Sequence, residues 1–422
     1  MFRILFILPE LPFPPESGSR QKVYNLLSYL GKNHKCDIIS FQHASAALAE
    51  CLPSEECQKL GPNVKLLESL TPNRGIALLL AQFKYLLLGK SPALGRCDTQ
   101  QGREAIARAL SRGNYDIVHV DMFMMASYVS SIPAEHSVLS VNDAVSLTLH
   151  RMSLGATTIA GRFKFRILSK LVSNTEKRLY RRFRAVHVVS ELDQEYLEEK
   201  TLARNFATIT LPARESWFNR VASGERTSNN AISIFCAGHF ERPFSWQPLV
   251  EFIDTYWPTL SARYPEIRMD VVGKRPSVKL RQSCNVAGIN LSEYVPDYEA
   301  VLMRADVVMY LDKSGPSGIK ARVVEAMASG KPIIATDVMM ENTGARPGEH
   351  FLLAQDPEGA FTHMSMLLNS EAERGRLGAA ARECAEHSFS NRIIGDQWLL
   401  LYQEVARPLG STSSNLYSGS SK

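Results

Sequence analysis

Short segments rich in β-branched residues alternate with longer amphipathic segments along most of the chain. A strand followed by a helix, repeated many times, is typical of parallel sheets that helices cover on both faces. The predicted strands are, in chain order, RILFIL, CDIISF, VKLLES, YDIVHVD, HSVLSVND, AVHVVS, ATITLP, AISIFCAG, IRMDVVGK, NLSEYV, DVVMYL, PIIATD and HFLLA. The pattern therefore predicts an α/β fold made of doubly wound parallel sheets.

The chain is too long for a single core, because 422 residues correspond to two domains of roughly 200 residues each. Residues 214–231 are polar, rich in Ser and Asn and without periodicity, and we predict a linker there. Rossmann-like domains are expected at 1–213 and 232–387, followed by a C-terminal helix at 388–407. Residues 408–422 have too little apolar surface to fold and are predicted to be disordered.

Composition narrows the class of protein. An apolar fraction of 45% with 22% charged residues is typical of a globular protein, and a net charge of +5 argues against a polyelectrolyte-binding chain. The seven cysteines are scattered without a CxxC pair or a His-rich cluster, which predicts reduced thiols and no metal site. Pro9 and Glu10 interrupt the N-terminal apolar run, and residues 76–88 are too short to span a membrane. We predict a cytoplasmic protein.

The segment SGPSGIKARVVEAMASGKPIIATD, residues 314–337, joins a glycine-rich loop to a short helix and a buried strand. We predict that Ser317 or Gly318 begins the helix and that Gly330 ends it in a left-handed conformation. In α/β proteins such a loop at a helix N-terminus binds phosphate. The alternative is an ordinary helix that carries a solvated Glu325.

A second glycine-containing loop follows the first predicted strand. Gly18 and Ser19 begin a helix there, and Arg20 and Lys22 add positive charge. We predict that the glycine allows a ligand to approach the backbone closely; the alternative is a simple connection between strand and helix. No GxGxxG motif follows any strand, which argues against a nicotinamide or flavin dinucleotide, and no cofactor is predicted.

Five segments together resemble the family 4 retaining glycosyltransferases, in particular the branch found with bacterial polysaccharide and exosortase-associated gene clusters. They are PELPFPPESGSRQKVYNLLSYL, YDIVHVDMFMMASYV, VNDAVSLTLHRM, VHVVSELDQEYL and SGIKARVVEAMASGKPIIATDV. The resemblance covers residues 3 to 405. It implies the GT-B architecture, with an acceptor-binding first domain and a sugar-nucleotide-binding second domain that face each other across a cleft. It also implies transfer with retention of configuration and no obligatory metal.

The resemblance assigns the donor site to particular residues. Glu325 matches the family glutamate that binds the ribose hydroxyls, about two helical turns, roughly 10 Å, past the expected helix start. Many relatives carry a second glutamate where this chain has Ser317, so a nearby basic residue is expected to serve the donor phosphates. The donor-binding candidates are Gly18, Ser19, Gly238, Lys274, Val295, Pro296, Lys313, Ser317, Gly318, Ile319, Lys320, Arg322 and Glu325.

Competing explanations apply at four of these candidates. Lys274 ends a strand and is expected to neutralise the leaving phosphate, or else it is a solvated lysine. Val295 and Pro296 are expected to pack against the nucleobase, or else they form a turn. Gly238 begins a loop in which His239 either contacts the diphosphate or has a structural role.

The catalytic candidates are Asp143, His119 and Lys274. Asp143 aligns with a family aspartate near the transferred sugar, and its alternative role is an Asx cap of the next helix. His119 and Asp121 end another strand and are expected to face the cleft. We assign these side chains positioning, electrostatic or weak-base roles, because the departing phosphate can take the acceptor proton.

Residues 151–185 hold ten Lys or Arg residues against a single acid, Glu176, with apolar residues interleaved. A solvated helix face is the ordinary explanation. The one-signed charge in the predicted acceptor domain favours contact with anionic lipid head groups or a lipid-diphosphate acceptor at the inner face of the membrane. Nucleic acid is the competing partner, but no nucleic-acid-binding module accompanies the charge.

The sequence thus predicts a retaining glycosyltransferase that transfers a sugar from a nucleoside-diphosphate sugar to a glycan or lipid-linked acceptor in cell-surface polysaccharide biosynthesis. Two alternatives remain open. One is a non-catalytic GT-B scaffold that binds sugar nucleotides, suggested by Ser317 at the glutamate position. The other is a sugar-nucleotide 2-epimerase, which shares the architecture.

Overall fold

The computed structural model divides the chain into two compact units. Unit 1 takes in Met1–Thr210 and the C-terminal segment from Asn391, and unit 2 is Leu211–Ser390. The structure describes residues 1–15, 17–41, 53–156, 158–221, 232–315 and 319–408. Each unit is built around one parallel sheet, as the alternating pattern predicts.

Unit 1 contains a seven-stranded parallel sheet in the order β3-β2-β1-β4-β5-β6-β7. Its strands are β1 Arg3–Leu8, β2 Lys35–Phe41, β3 Val64–Leu70, β4 Ile117–Asp121, β5 Ser137–Ser140, β6 Ala185–Val188 and β7 Phe206–Thr208. Its first seven helices are α1 Gly18–Leu30, α2 Pro53–Leu60, α3 Gly75–Leu87, α4 Gln100–Arg112, α5 Val145–Gly155, α6 Ile159–Leu179 and α7 Glu191–Thr201. Short 3₁₀ segments occupy Pro92–Arg96, Phe123–Ser131, Ala134–His136 and Tyr180–Arg182.

Unit 2 contains a six-stranded parallel sheet in the order β10-β9-β8-β11-β12-β13. Its strands are β8 Ser233–Ala237, β9 Arg268–Val272, β10 Asn290–Ser292, β11 Val307–Tyr310, β12 Ile333–Ala335 and β13 Leu352–Leu353. Its helices are α8 Glu215–Val221, α9 Pro243–Thr255, α10 Trp257–Arg263, α11 Val278–Val286, α12 Tyr298–Arg304, α13 Ala321–Ala328, α14 Asp337–Met340, α15 Pro357–Asn369 and α16 Glu371–Phe389.

The last helix, α17 Asn391–Ala406, belongs to unit 1 although it follows unit 2 in the chain. Its buried side chains, among them Trp398 and Tyr402, pack on the face of the first sheet that carries Ile4 and Phe6. The opposite face of the same sheet packs Leu5 and other residues in a separate apolar cluster. The alternation of strand side chains between faces therefore gives unit 1 two cores.

The first part of the predicted linker forms helix α8 rather than an irregular connection. Trp217 of α8 is completely buried in an apolar cluster of unit 2, and the amide of Ala213 donates to the carbonyl of Phe389 at 2.8 Å. A buried tryptophan stabilises this short helix despite its polar neighbours. The rest of the predicted linker, 222–231, and the predicted tail from 409 lie outside the described residues.

Candidate functional site

The strand order of each sheet reverses at one point. In unit 1 the first strand of the series lies beside the fourth, β1 beside β4, and in unit 2 β8 lies beside β11. Open parallel sheets bind ligands outside the carboxyl ends of the strands at such a switch point. In unit 2 the loops at this position are 238–242 and 311–320, and they contain six of the thirteen predicted donor-binding residues.

The helix that follows β11 begins later than predicted. Lys320 occupies the N-cap position of α13, in an extended conformation, and Ala321 is the first helical residue. Ile319 is 8% exposed and packs into an apolar cluster of unit 2. We attribute the delayed start of the helix to this burial. Ser317 and Gly318 lie outside the described residues, so their predicted phosphate contacts stay predictions.

Glu325 therefore lies four residues past the helix start, about 6 Å along the axis rather than the predicted 10 Å. Its side chain is 8% exposed, which contradicts the alternative of an ordinary solvated glutamate. Burial raises the pKa values of the Tyr298 and Tyr310 hydroxyls, and the negative charge of Glu325 adds to both shifts, so all three side chains are neighbours. Gly330 ends the helix with φ of 67°, as predicted.

Asp312, at the end of β11, is the centre of a polar network that the sequence did not reveal. Its carboxylate accepts from the Ser245 hydroxyl at 3.1 Å and from the Arg322 guanidinium at 2.5 Å. Its carbonyl accepts from the Thr336 hydroxyl at 2.7 Å. Because Asp312 is only 7% exposed, its contacts with Ser245 of α9, Arg322 of α13 and Thr336, the residue after β12, lie in a shielded environment.

Arg322 has surroundings that extend beyond its ion pair with Asp312. Its guanidinium carbon lies 5.5 Å from the centroid of the Tyr310 ring, and one terminal nitrogen bonds Asp312. Its buried Nε has no hydrogen-bond partner within the part of the chain that the structure describes. Burial lowers the pKa of the His239 imidazole, and the charges of Arg322 and Arg242 lower it further, so these groups lie close together. The cluster offers donors to an anion.

The glycines at this edge have a structural reason. A Cβ on Gly238 would lie 2.6 Å from the Phe240 ring, and a Cβ on Gly273 would lie 2.1 Å from the carbonyl oxygen of Gly238. The ends of β8 and β9 therefore approach too closely for any side chain. Gly238 is needed for packing, whether or not a ligand also contacts its backbone.

The remaining predicted cations differ in their availability. Lys320 pairs with Glu341 at 3.4 Å, and its side chain is only 9% exposed. Lys274 and Lys313 are exposed, and neither makes an ion pair with another described residue. The amide of Lys313 donates to the carbonyl of Phe244 at 3.1 Å, which holds the loop against α9. Lys313 at this switch point and Lys274, which follows the neighbouring strand β9, are thus exposed cations that can meet a phosphate from solvent.

Val295 and Pro296 line a cavity of about 390 Å³ beside β9 and β10. The other lining residues are mostly polar: Asp270, Val272, Asn290, Ser292, Asp297, Ala300, Val301 and Arg304. Asp297 also caps α12, accepting from the amide of Ala300 at 2.9 Å, so the turn expected as the alternative is part of a helix cap. The predicted nucleobase contact stays a prediction, and the cavity is the recess that could receive a base.

The switch point of unit 1 is closed by internal charge pairing. The Lys22 ammonium lies 2.7 Å from the Asp121 carboxylate and donates to the Ser140 hydroxyl at 2.7 Å, with both charged side chains almost fully buried. Burial alone would raise the pKa of Asp121, but the charge and hydrogen bond of Lys22 together with those of His119 outweigh it and hold that pKa below its usual value. Arg20 pairs with Glu10 at 2.7 Å. Lys22 is therefore not available to a ligand as the sequence predicted, whereas the buried Nε of Arg20 has no hydrogen-bond partner among the residues that the structure describes.

Gly18 and Ser19 form the first turn of α1, as predicted, after Ser17 as N-cap. The Ser17 hydroxyl accepts from the amide of Arg20 at 3.3 Å and lies 3.1 Å from the Ser19 hydroxyl. Both predicted residues are partly exposed, so their backbone N–H groups are the part of this loop that can approach a ligand.

His119 is not at a ligand-accessible position. Its side chain is completely buried, its Nδ1 lies 2.7 Å from the Tyr402 hydroxyl, and its ring packs against Phe6 and Trp398. Alternation along β4 turns this side chain toward α17, on the sheet face opposite Val118. Burial lowers the pKa of His119, so the ring is neutral at neutral pH. The structure assigns it to the core rather than to a cleft.

Asp143 is partly buried and accepts from the Thr148 hydroxyl at 2.8 Å. It is not the cap of α5, because Ala144 occupies the N-cap position without a side-chain bond. Burial raises the pKa of Asp143, and the neighbouring carboxylate of Asp193 raises it further. Asp193 accepts from the amide of Ala144 at 2.9 Å, so the turn that holds Asp143 is fixed from α7.

Sequence reasoning missed Asp312 and the burial of Lys22. The signal for Asp312 was its position directly after a predicted strand, the same criterion that selected Asp143. No local signal could reveal the burial of Lys22, because its partner Ser140 is 118 positions away in the chain.

Comparison with known proteins finds a family match within unit 2. Residues 231–370 match the family model described as "Glycosyl transferases group 1". A stretch of 154 residues is 27% identical to the phosphatidyl-myo-inositol mannosyltransferase of Mycobacterium leprae (strain TN). That stretch is 35% of this chain and 41% of the relative, so it spans less than half of that protein.

Solved structures are similar over nearly the whole chain. Sucrose-phosphate synthase from Thermosynechococcus elongatus is 15% identical with a TM-score of 0.65. The similarity covers 96% of this chain and 99% of that chain. Anabaena Alr3699/HepE in complex with UDP is 12% identical with a TM-score of 0.60, with coverage of 95% and 100%. The predicted fold class, two Rossmann-like parallel-sheet domains of GT-B type, is confirmed. The domain match and the relative support the predicted glycosyltransferase class.

Proposed function

We propose that the chain is a retaining glycosyltransferase that transfers a sugar from a nucleoside-diphosphate sugar to a glycan or lipid-linked acceptor in cell-surface polysaccharide biosynthesis. The observation that carries this proposal is the arrangement at the switch point of unit 2. Glu325 is buried there one helical turn after Arg322, whose Nε lacks a partner within the described residues, and His239 is adjacent to Arg322. A buried acid beside anion-binding donors suits a ribose and a diphosphate.

In the proposed donor complex, the diphosphate binds the Arg322 Nε, the amines of Lys274 and Lys313, and the backbone N–H groups of Ser317 and Gly318. Glu325 accepts hydrogen bonds from the ribose. Support comes from the match of 231–370 to glycosyl transferases group 1 and from a structural neighbour that holds UDP.

The proposed reaction breaks the bond between the anomeric carbon and the oxygen of the leaving phosphate. The acceptor hydroxyl forms the new bond on the same face of the sugar, and its proton passes to the departing phosphate oxygen. Lys274 stabilises the charge that develops on that phosphate. Asp143 is proposed to position the acceptor. His119 is left out because its side chain is completely buried.

The test is the affinity of the chain for UDP and GDP, measured by calorimetric titration. A charged hydrogen bond is worth about 1.5 to 3 kcal/mol, so Glu325→Ala should weaken binding of the preferred nucleotide roughly 10- to 150-fold. Glu325→Gln keeps the side-chain volume in this buried position and should also weaken binding. Glu373→Ala is the control, because Glu373 pairs with Arg376 on α16. Unchanged affinity in both Glu325 variants would refute the donor-site assignment.

A product assay separates the proposed activity from its alternatives. Incubation of the chain with the preferred sugar nucleotide and a glycan or lipid-linked acceptor should yield a new glycosidic bond. A 2-epimerase would change the sugar without an acceptor. A scaffold that only binds sugar nucleotides would leave both substrates intact.

A further inference from the structure

Helix α3 of unit 1 carries its apolar stripe on the outside. Ile76, Leu79, Leu80, Phe83 and Leu87 recur at the spacing that normally marks the buried face of a helix. Their exposed fractions are 76%, 64%, 65%, 59% and 73%, so every member of the stripe is more than half exposed. A contiguous apolar surface of this kind marks an interaction site rather than ordinary surface variation.

The inner face of α3 explains its orientation. Tyr85 is buried and donates to the Asp98 carboxylate at 2.7 Å. A Cβ on Gly95 would lie 2.9 Å from the backbone of Ala81, so the helix backbone rests directly on the following 3₁₀ segment. These contacts hold the helix by its small and polar side, and they leave the apolar stripe outward.

Four cations surround the C-terminal end of α3. The Arg178 guanidinium donates to the carbonyl of Leu88 at 2.9 Å, which ties α6 to this end of the helix. Burial lowers the pKa of Lys90, and the charges of Arg178, Arg182 and Lys84 lower it further, so the four groups crowd one another. The acid that acts on Lys90 in this cluster is Asp98, and it also pairs with Arg103 and, at 3.9 Å, with Lys84. The cations outnumber the acid.

Helix α6 repeats the combination of apolar and basic side chains. Ile159, Phe163 and Ile167 lie on one face of α6 and are 86%, 67% and 44% exposed. Exposed basic residues are interleaved with them on the same helix: Arg162, Lys164, Arg166 and Lys170. The second helix therefore offers the same chemistry as the first.

We propose that the stripe of α3 inserts into the interfacial layer of an anionic bilayer, with Lys84, Lys90, Arg178 and Arg182 contacting lipid phosphates. A helix of 13 residues is about 20 Å long, too short to cross the hydrocarbon core but suited to lie in its plane. Within the described residues, no helix combines the length and the apolar character needed to cross a bilayer.

Charge complementarity selects lipid over a second copy of the chain. A symmetric dimer across α3 would bring two identical basic clusters together at the edge of the apolar contact, and like charges repel. Lipid phosphates neutralise the same cluster. This surface lies in unit 1 and does not depend on the proposed glycosyl transfer.

Co-sedimentation of the full chain with vesicles tests the proposal. The chain should bind vesicles containing phosphatidylglycerol far more than vesicles of phosphatidylcholine alone, and should dissociate as salt rises. Leu80→Ser with Phe83→Ser should weaken binding about 10-fold or more. Lys90→Ser with Arg182→Ser should weaken it about 25-fold at low salt.

Controls and a depth measurement separate insertion from other contacts. Val278→Ser with Val286→Ser removes two apolar side chains of unit 2 that are 72% and 88% exposed, and should leave vesicle binding unchanged. Tryptophan emission of a Phe83→Trp variant should be quenched by lipids brominated on the acyl chain. Equal binding to both vesicle types, no quenching, or a dimer that the Leu80→Ser and Phe83→Ser changes dissociate in the absence of vesicle binding would each overturn the proposal.

Discussion

The two switch points have the same topology and opposite electrostatics. In unit 1 the ammonium of Lys22 is buried against the Asp121 carboxylate, and the two charges neutralise each other inside the protein. In unit 2 Asp312 holds only one nitrogen of Arg322, and Lys274 and Lys313 remain exposed without an ion pair among the described residues. The same strand order therefore supports a stabilising pair in one unit and, in the other, exposed cations that we propose bind an anion.

This difference separates stability from binding. A buried ion pair is costly to break on one side, because the remaining charge stays in a low-dielectric environment. An exposed cation contributes little to stability but can meet a ligand phosphate. Substitutions at the first switch point should therefore change unfolding and leave nucleotide affinity unchanged, whereas substitutions at the second should do the reverse.

The largest effect is expected for Lys22→Met. The substitution leaves the buried Asp121 without its partner, which should destabilise unit 1 by about 3 to 5 kcal/mol. Denaturant unfolding measures the loss. Adding Asp121→Leu should recover much of it, since an apolar pair of similar volume replaces the charges. Lys32→Met, at an exposed position after α1, is the control. If the free energy of unfolding of the Lys22→Met variant equals that of the wild type, the comparison is contradicted.

A buried acid of unit 1, Glu176, should make the stability of the unit depend on pH. Burial raises the pKa of Glu176 from 4.5 to about 7, and the carboxylates of Asp143 and Asp193 add to the shift. The folded state therefore retains a proton that the unfolded state releases above pH 4.5, so stability falls by about 3 kcal/mol as pH rises to 7.

Glu176→Gln removes this proton equilibrium. The amide can still bond Ser146, whose amide and hydroxyl both donate to Glu176. The variant should match the wild type near pH 4.5 and exceed its stability at pH 8, as measured by unfolding across that range. Glu195→Gln, at an exposed position on α7, should follow the wild type at every pH. Parallel curves for the Glu176 variant and the wild type would refute the shift.

The smallest effect is expected at the exposed cations of unit 2. Lys274→Ala and Lys313→Ala should each weaken nucleotide binding about two- to fivefold, because an exposed charge contact is worth about 1 kcal/mol or less. Titration with the preferred nucleotide measures this, and unfolding should not change. Lys279→Ala serves as the control, because Lys279 pairs with Asp254 on neighbouring α9. A loss of stability without a loss of affinity would reverse the comparison.

Local patterns in the sequence predict the strands and the class of fold. All thirteen predicted strand segments overlap a strand of one of the two parallel sheets, because each is a short run of β-branched residues between amphipathic segments. The left-handed end of α13 at Gly330 was equally predictable, since glycine adopts positive φ without strain. These features depend on neighbours in the chain.

Packing between segments distant in the chain determines how the polar side chains and the apolar faces are oriented. The start of α13 was displaced to Ala321, with Ile319 packed in a core formed by distant segments. His119 faces Tyr402, which lies 283 positions later in the chain, and no local pattern could indicate that contact. The stripe of α3 has the spacing of a buried face, yet the packing of Tyr85 turned it outward. Periodicity identifies an apolar face, but only its surroundings determine what covers it.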